Sequence, residues 1–259
     1  MSSATPMVSV LLCTNRVDEL LARSIDSLRA QTHTQMELVV VLNGAAVARS
    51  NEVEVLLEGF GAAKLLTSDV AHLNHSLNLG LDAAAGELVA RMDADDIAYP
   101  DRLTEQVKFL LEHPEVSVCG SWYALIDGAD RPFREVRLPC SDAKLRAAAF
   151  YSNPICHPSV MFRRADVIRL GGYLGGLFAE DYDLWLRMML DSDVKFATLP
   201  RVLLGYRASP TGAARRSKRA YAAMSAAQWN CFTLTGDPRW LMGALASLCK
   251  RVIRARAGD

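Results

Sequence analysis

Several things are missing from this 259-residue chain, and each absence removes a class of function. Its six cysteines (Cys13, Cys119, Cys140, Cys156, Cys231 and Cys249) form no C-x-x-C pair and no zinc-ligand spacing. Scattered in this way they read as small buried hydrophobes in a reducing compartment. Nowhere do about eighteen apolar residues run uncharged, so no segment is expected to span a bilayer. The opening MSSATPMVSVLLCTNR has no basic stretch ahead of its short apolar run, unlike a signal peptide. Neither sign of charge is in excess: 29 basic residues face 29 acidic ones, so no global field recruits nucleic acid. A Walker A loop and a G-x-G-x-x-G turn are both absent, which excludes P-loop kinases and dehydrogenases. A soluble, cytoplasmic, non-nucleic-acid-binding protein is the expectation.

What is present is an alternation of apolar runs and helical patterns. MVSVLLC predicts a strand that ends at Thr14, and Val17, Leu20, Leu21, Ile25 and Leu28 follow at helical spacing. MELVVVL reads as a strand buried on both faces and ends at Asn43-Gly44. A helical segment around residues 52–58, a short strand AKLLT and a helix stopping at Gly86 come next. The strand ELVARM then leads to Asp93, and Pro100 suits the first turn of a helix that buries Leu103, Val107, Leu110 and Leu111. This rhythm predicts an α/β fold, a mostly parallel sheet flanked by helices. Ligands in such sheets sit beyond the carboxyl ends of the strands, where Thr14, Asn43 and Asp93 to Asp96 all fall. The rhythm weakens after about Asp130, and from Thr211 the chain reads as helices with a basic face.

The stretch ARMDADDIAYPDRL sets Asp93, Asp95 and Asp96 within four residues at the end of an apolar strand. Crowded carboxylates with hard oxygen donors match Mg²⁺ or Mn²⁺, which also take phosphate oxygens. The plainer reading is a solvated acidic turn in which Asp96 or Asp101 stabilises the next helix. A calcium loop of the EF-hand kind is excluded, since Ala98 stands where Gly is needed and Thr104 where Glu is needed.

GELVARMDADDIAYPDRLTEQVKFLLEHPEV resembles the D-x-D region of glycosyltransferase family 2, the inverting nucleotide-sugar transferases of the GT-A fold. The similarity continues in order through VSVLLCTNR, SIDSLRAQT, MELVVVLNGA, LNLGLDAAAGE, NPICHPSVMFRR, GGY, EDYDLWLRM and LLGYR, covering roughly Val8 to Arg207. The resemblance implies a GT-A domain over residues 1–211, with a nucleotide-binding half (1–130) and an acceptor half (131–211), before a basic helical extension (212–259). It implies that Asp95 ligates Mn²⁺ or Mg²⁺ bridging the donor diphosphate, and that Asp93 holds the ribose or assists the metal. Thr14 would line the nucleotide pocket. Glu180 and Asp181 match the family's acidic pair, with Asp181 as the catalytic base and Glu180 on the acceptor side. His157 is an acceptor-side candidate that has a structural reading as well. Asp181 likewise falls where a helix N-cap belongs.

Two departures limit the parallel. Many relatives carry two aspartates after the second strand, the latter contacting uracil; here Leu42-Asn43 stands there. Asn43 can accept a hydrogen bond from the base and also donate one, so a UDP-sugar is favoured while dTDP and GDP donors stay open. Relatives often have a His after the Tyr-Arg pair, where this chain has Ala208 and Ser209, so a third metal ligand must come from elsewhere or be water. The Q-x-x-R-W motif of processive synthases is missing, with Gly236 in place of Gln, which favours single additions. The acceptor implied is a glycan or lipid-linked saccharide in surface polysaccharide synthesis. A non-catalytic nucleotide-sugar-binding protein and a sugar nucleotidyltransferase are the rival readings. The latter would want a Gly-rich basic loop after the first strand, absent from LLCTNRVDE. From Gly212 onward nine Lys and Arg face only Asp237 and Asp259, which suggests peripheral contact with an anionic membrane surface, at the inner face, as an alternative to a solvated basic face.

Overall fold

Val8–Thr14 forms β1 because its apolar, β-branched residues are buried on both faces. The computed structural model describes residues 6–175, 178–208 and 218–256, except for the side chains of 251 and 253–256. Helix α1 (Glu19–Arg29) starts where Asp18 accepts a hydrogen bond from the Leu21 amide (3.2 Å). Then follow β2 (Met36–Asn43), a 3₁₀ turn, α2 (Ser50–Leu57), β3 (Ala63–Ser68), α3 (Leu73–Ala83) and β4 (Leu88–Asp93). The sheet order β3-β2-β1-β4 is parallel throughout, as the sequence predicts. The chain winds outward from β1 to β3 and returns on the other side of β1 as β4. That reversal opens a crevice at the carboxyl ends of β1 and β4. The register brings the strand ends level there, since Cys13 pairs with Asp93 and Thr14 with Leu42.

The second half extends the same sheet. After β5 (Ile97–Ala98) and α4 (Arg102–Glu112) come β6 (Val116–Ile126), β7 (Pro132–Val136), α5 (Asp142–Ala149), β8 (Met161–Arg163), α6 (Arg164–Arg169), α7 (Glu180–Leu190) and β9 (Lys195–Arg207). The three-residue β8 runs antiparallel to both β4 and β6 and so joins the two halves edge to edge. β9 lies parallel to β6, and its far end pairs with β5. Helices α8 (Lys218–Thr235) and α9 (Pro238–Arg256) pack as a hairpin against α7 and α5. The expected boundary at 211/212 lies outside the described residues, as do Thr211, Arg215 and Arg216. No described helix is long and apolar enough to cross a membrane.

Strand alternation sorts the core into two layers. Leu11, Val39, Val41 and Val89 face α3, α5 and α7, whereas Val10, Leu12, Val40 and Ala90 face α1, α2 and α4. Three local expectations are corrected. Leu111 is exposed, because it sits about 80° around α4 from the Leu103–Val107–Leu110 stripe. Pro100 precedes the N-cap Asp101 instead of entering α4. The third helix ends at Ala83, and Gly86 makes a tight turn where a Cβ would come within 2.7 Å of the Met7 carbonyl and Ser9 amide.

At the sheet pole opposite the crevice, buried Glu37 is a polar node. Its Oε1 accepts from the Ser9 hydroxyl (2.6 Å) and the Ala85 amide (2.6 Å), and its Oε2 pairs with Lys64 (2.8 Å). Burial alone would raise its carboxyl, but Lys64 and Ser9 prevail and hold it below the usual carboxylate range. The depressed value means its contribution is present above about pH 4.5 and is lost as pH falls. Replacing Glu37 by Ala should cost about 2–3 kcal/mol in denaturant unfolding at neutral pH, with a smaller deficit in acid.

Candidate active site

Two clefts meet at the carboxyl end of the sheet. One, of about 380 Å³, is walled by the β1–α1 loop, Asn43, His72 and the Asp93–Asp96 turn. The other, of about 490 Å³, is walled by β6, β7, the Asn153–Pro158 segment and the start of α7. Leu73, Asp93 and Tyr206 line both.

Thr14, Asn43, Asp93 and Asp95 all reach the first cleft, where the sequence places them. The Thr14 hydroxyl donates to the Arg16 carbonyl (2.7 Å) and accepts from the Arg16 amide (3.1 Å). It therefore shapes the loop that carries Arg16 into the cleft. Asn43 Nδ2 donates to the Ser76 hydroxyl (2.7 Å), which engages one of the amide's two N–H donors.

The three aspartates have three different environments. Asp93 forms an ion pair with Arg91, two residues earlier on the same face of β4. Arg91 is buried; this works against its charge, but Asp93 outweighs it and keeps the guanidinium protonated. Its Nε and Nη1 find no partner among the described residues. Asp96 is also buried, and its Oδ1 accepts from the Arg207 amide at the end of β9 (2.8 Å). The expectation that Asp96 or Asp101 caps α4 is thereby corrected: Asp96 serves β9, and Asp101 makes no side-chain cap bond. Asp95 is half-buried, and no described Lys or Arg pairs directly with it. Burial first, and then the charge of Asp93, push its carboxyl above the usual range. Among the described residues, no three His, Cys, Asp or Glu side chains converge as a metal-ligating group.

Arg207 ties this turn to the second half of the chain. Its Nε donates to the Asp95 carbonyl (2.6 Å), Nη1 to the Asp127 carbonyl (2.6 Å), and Nη2 pairs with Asp130, which also pairs with Arg23.

In the second cleft, Asp181 is the second residue of α7, whose N-cap is Ala179, so the capping reading of Asp181 is corrected. Its two oxygens accept from Asn153 Nδ2 (2.6 Å) and the Tyr182 amide (2.8 Å). Asn153 is itself fixed by the Ile155 amide (3.2 Å). Glu180 lines the same cleft, with its carboxyl pushed up mainly by burial. His157 does too, but its Nε2 is hydrogen-bonded to the buried Tyr173 hydroxyl (2.9 Å). Burial, with Arg91 nearby, holds the imidazole well below its usual value and neutral.

Sequence reasoning overlooked Arg91, Asn153, Asp130 and the clamp by Arg207. A charged residue inside the apolar run LVARM was the available signal for Arg91. Asn153 and Asp130 act across 28 and 77 residues and leave no local signature.

The clefts can be set beside known proteins. The sequence profile for Glycosyl transferase family 2 matches residues 9–171. The amylovoran biosynthesis glycosyltransferase AmsE of Erwinia amylovora is 35% identical over 206 residues, covering 78% of this chain and 76% of its own. The O-antigen biosynthesis glycosyltransferase WbnJ of Escherichia coli is 30% identical over 203 residues, covering 78% and 79%. Among solved structures, S. aureus TarS 1–349 in complex with UDP-GlcNAc superimposes with a TM-score of 0.70 at 16% identity, over 94% of this chain and 72% of that one, which shows a shared fold. On the profile match and these two relatives, the chain belongs to glycosyltransferase family 2 and is a glycosyltransferase of the GT-A fold.

Proposed function

We propose that the chain moves a sugar, with inversion, from a nucleoside diphosphate donor to a hydroxyl of a glycan or lipid-linked saccharide during surface polysaccharide synthesis. The observation that carries the reading is the pair of clefts sharing Asp93 and Tyr206, with Asn43 and Asp95 in one and the anchored carboxylate of Asp181 in the other. The first suits a nucleoside diphosphate, the second an acceptor. The roles of AmsE and WbnJ in polymer biosynthesis support the polysaccharide setting. The UDP-GlcNAc held by TarS, and the Oδ1 acceptor of Asn43, support a UDP-sugar as the first donor to test.

Asp181 accepts the proton of the acceptor hydroxyl while its oxygen bonds to the anomeric carbon and the bond to the diphosphate breaks. One displacement needs no covalent sugar–enzyme intermediate. Asn153 and the Tyr182 amide hold the carboxylate at the rim so that the base does not have to be oriented in the transition state. General-base help of this kind contributes about 10²–10⁴-fold. Glu180 stands beside it on the acceptor side, and neutral His157 supports Tyr173 beneath.

The Asp95 carboxylate fits a divalent cation: its oxygens are hard donors, it is crowded by Asp93, and no described Lys or Arg forms a direct ion pair with it, although the charges of Arg16 and Arg207 act on it. Asp95, with Asp93 assisting, would hold Mn²⁺ or Mg²⁺, whose chemistry is to offset charge on the departing diphosphate. Arg91 already engages one oxygen of Asp93, and among the described residues no third ligand converges, so the donor's phosphates and water would have to complete such a site.

Three outcomes test the reading in a transfer or donor-hydrolysis assay with UDP-sugars. Asp181→Asn should leave the melting temperature nearly unchanged and lower turnover about 10²–10⁴-fold; turnover within a few-fold of wild type would remove Asp181 as base. Chelation and Asp95→Asn should both weaken donor binding, and affinity indifferent to both would end the metal assignment. Asn153→Ala should lower kcat about 10–100-fold at unchanged donor KM, because it loosens the base without touching the first cleft.

A further inference from the structure

The acidic turn after β4 is faced by three guanidinium groups, Arg91, Arg16 and Arg207, and Arg91 is the most enclosed of them. It is 4% exposed, lines the second cleft, and pairs with Asp93, which both clefts share. Asp93 is its one ion-pair partner among the described residues, where its Nε and Nη1 also reach no acceptor. A buried guanidinium with so few acceptors and little water is poorly screened, so its charge acts strongly on Asp93 and on anything held beside it. The other two act on Asp95 by charge without a direct ion pair. Arg16 lines the first cleft, and Arg207 donates to the Asp95 carbonyl while pairing with Asp130.

Three crowded carboxylates with no positive neighbour would take up a divalent ion on their own. This turn is built otherwise. Arg91 occupies one oxygen of Asp93, and the Arg207 amide occupies one oxygen of Asp96. The three arginines oppose the entry of a further cation. A nucleotide sugar's diphosphate reverses that balance, since it offers negative charge to the arginines and phosphate oxygens to the ion.

We propose that Arg91 is a positioning residue that keeps the turn from holding a free divalent cation, so that cation and nucleoside diphosphate are taken up together. Arg91 acts through Asp93, whose carboxylate it leaves with a single oxygen for any cation. The inference rests on the reading of Asp95 as a cation ligand.

Mn²⁺ binding by the full chain, read from the electron paramagnetic resonance of the free ion, tests this without any sugar transfer. Wild type should bind Mn²⁺ weakly alone and about 100-fold more tightly once UDP is added. Arg91→Met should bind Mn²⁺ alone about tenfold more tightly than wild type, because one opposing charge has gone. With chelator present, the same variant should bind UDP several-fold more weakly than wild type. Arg91→Lys, which keeps the charge, should resemble wild type in both. Damage to the fold would weaken both ligands, so the opposite directions carry the assignment. Wild-type Mn²⁺ affinity that UDP does not alter, or Arg91→Met affinity for Mn²⁺ alone that is unchanged or lower, overturns the inference and leaves Asp95 as a cation ligand. No Mn²⁺ bound by wild type even with UDP removes the cation reading itself, and the inference with it. Loss of the folded state in both Arg91→Met and Arg91→Gln overturns it as well, since Arg91 would then be a structural residue.

Discussion

Like charges gathered in a small space repel, and the turn after β4 holds three carboxylates within four residues. Each escapes that repulsion differently. Arg91, buried beneath, pairs with Asp93; the backbone of Arg207 takes one oxygen of Asp96; Asp95 alone keeps an unpaired, half-buried carboxylate facing a cleft. This division of labour is the constraint on which the site depends. A basic partner for all three would leave nothing to attract a cation, and none for any would force them apart or into the protonated form.

The same turn explains why the two halves of the chain form one unit. Arg207 reaches from the last strand of the sheet to the Asp95 carbonyl, the Asp127 carbonyl and Asp130, so the acidic turn, β9 and the β6–β7 hairpin are fastened at a single residue. β8 makes the complementary connection within the sheet, pairing with β4 on one edge and β6 on the other. Two clefts with a shared floor follow from this construction. In a family 2 glycosyltransferase, that floor is where the proposed donor and acceptor would approach one another. The C-terminal hairpin borders the second cleft through Ala220 and Met224.

Much of the first half was legible in the sequence, for a physical reason. Parallel strands buried on both faces must be continuous apolar runs, and MVSVLLC, MELVVVL and ELVARM are such runs. Polar residues where those runs stop must lie at the sheet's carboxyl rim, and Thr14, Asn43, Asp93 and Asp95 do line one cleft there. The second half was less legible. β8 is too short for any period to show, and β9 is interrupted by Pro200-Arg201 with irregular register against β6. Sequence patterning also misjudged ends: Asp181 has the composition of a cap, but the helix begins one residue earlier and leaves its carboxylate to Asn153.

Order along the chain thus determined the α/β alternation, the rim that collects polar residues, and the acidic turn with its demand for positive charge, because these depend on neighbours within a few residues. Which aspartate is neutralised, which is structural and which stays available was decided only in three dimensions. Arg207 lies more than a hundred residues from the turn it clamps, and Asn153 lies 28 from the carboxylate it aims. Hydrogen bonds and ion pairs act over a few ångströms, so contacts so distant in sequence exist only once the sheet has closed.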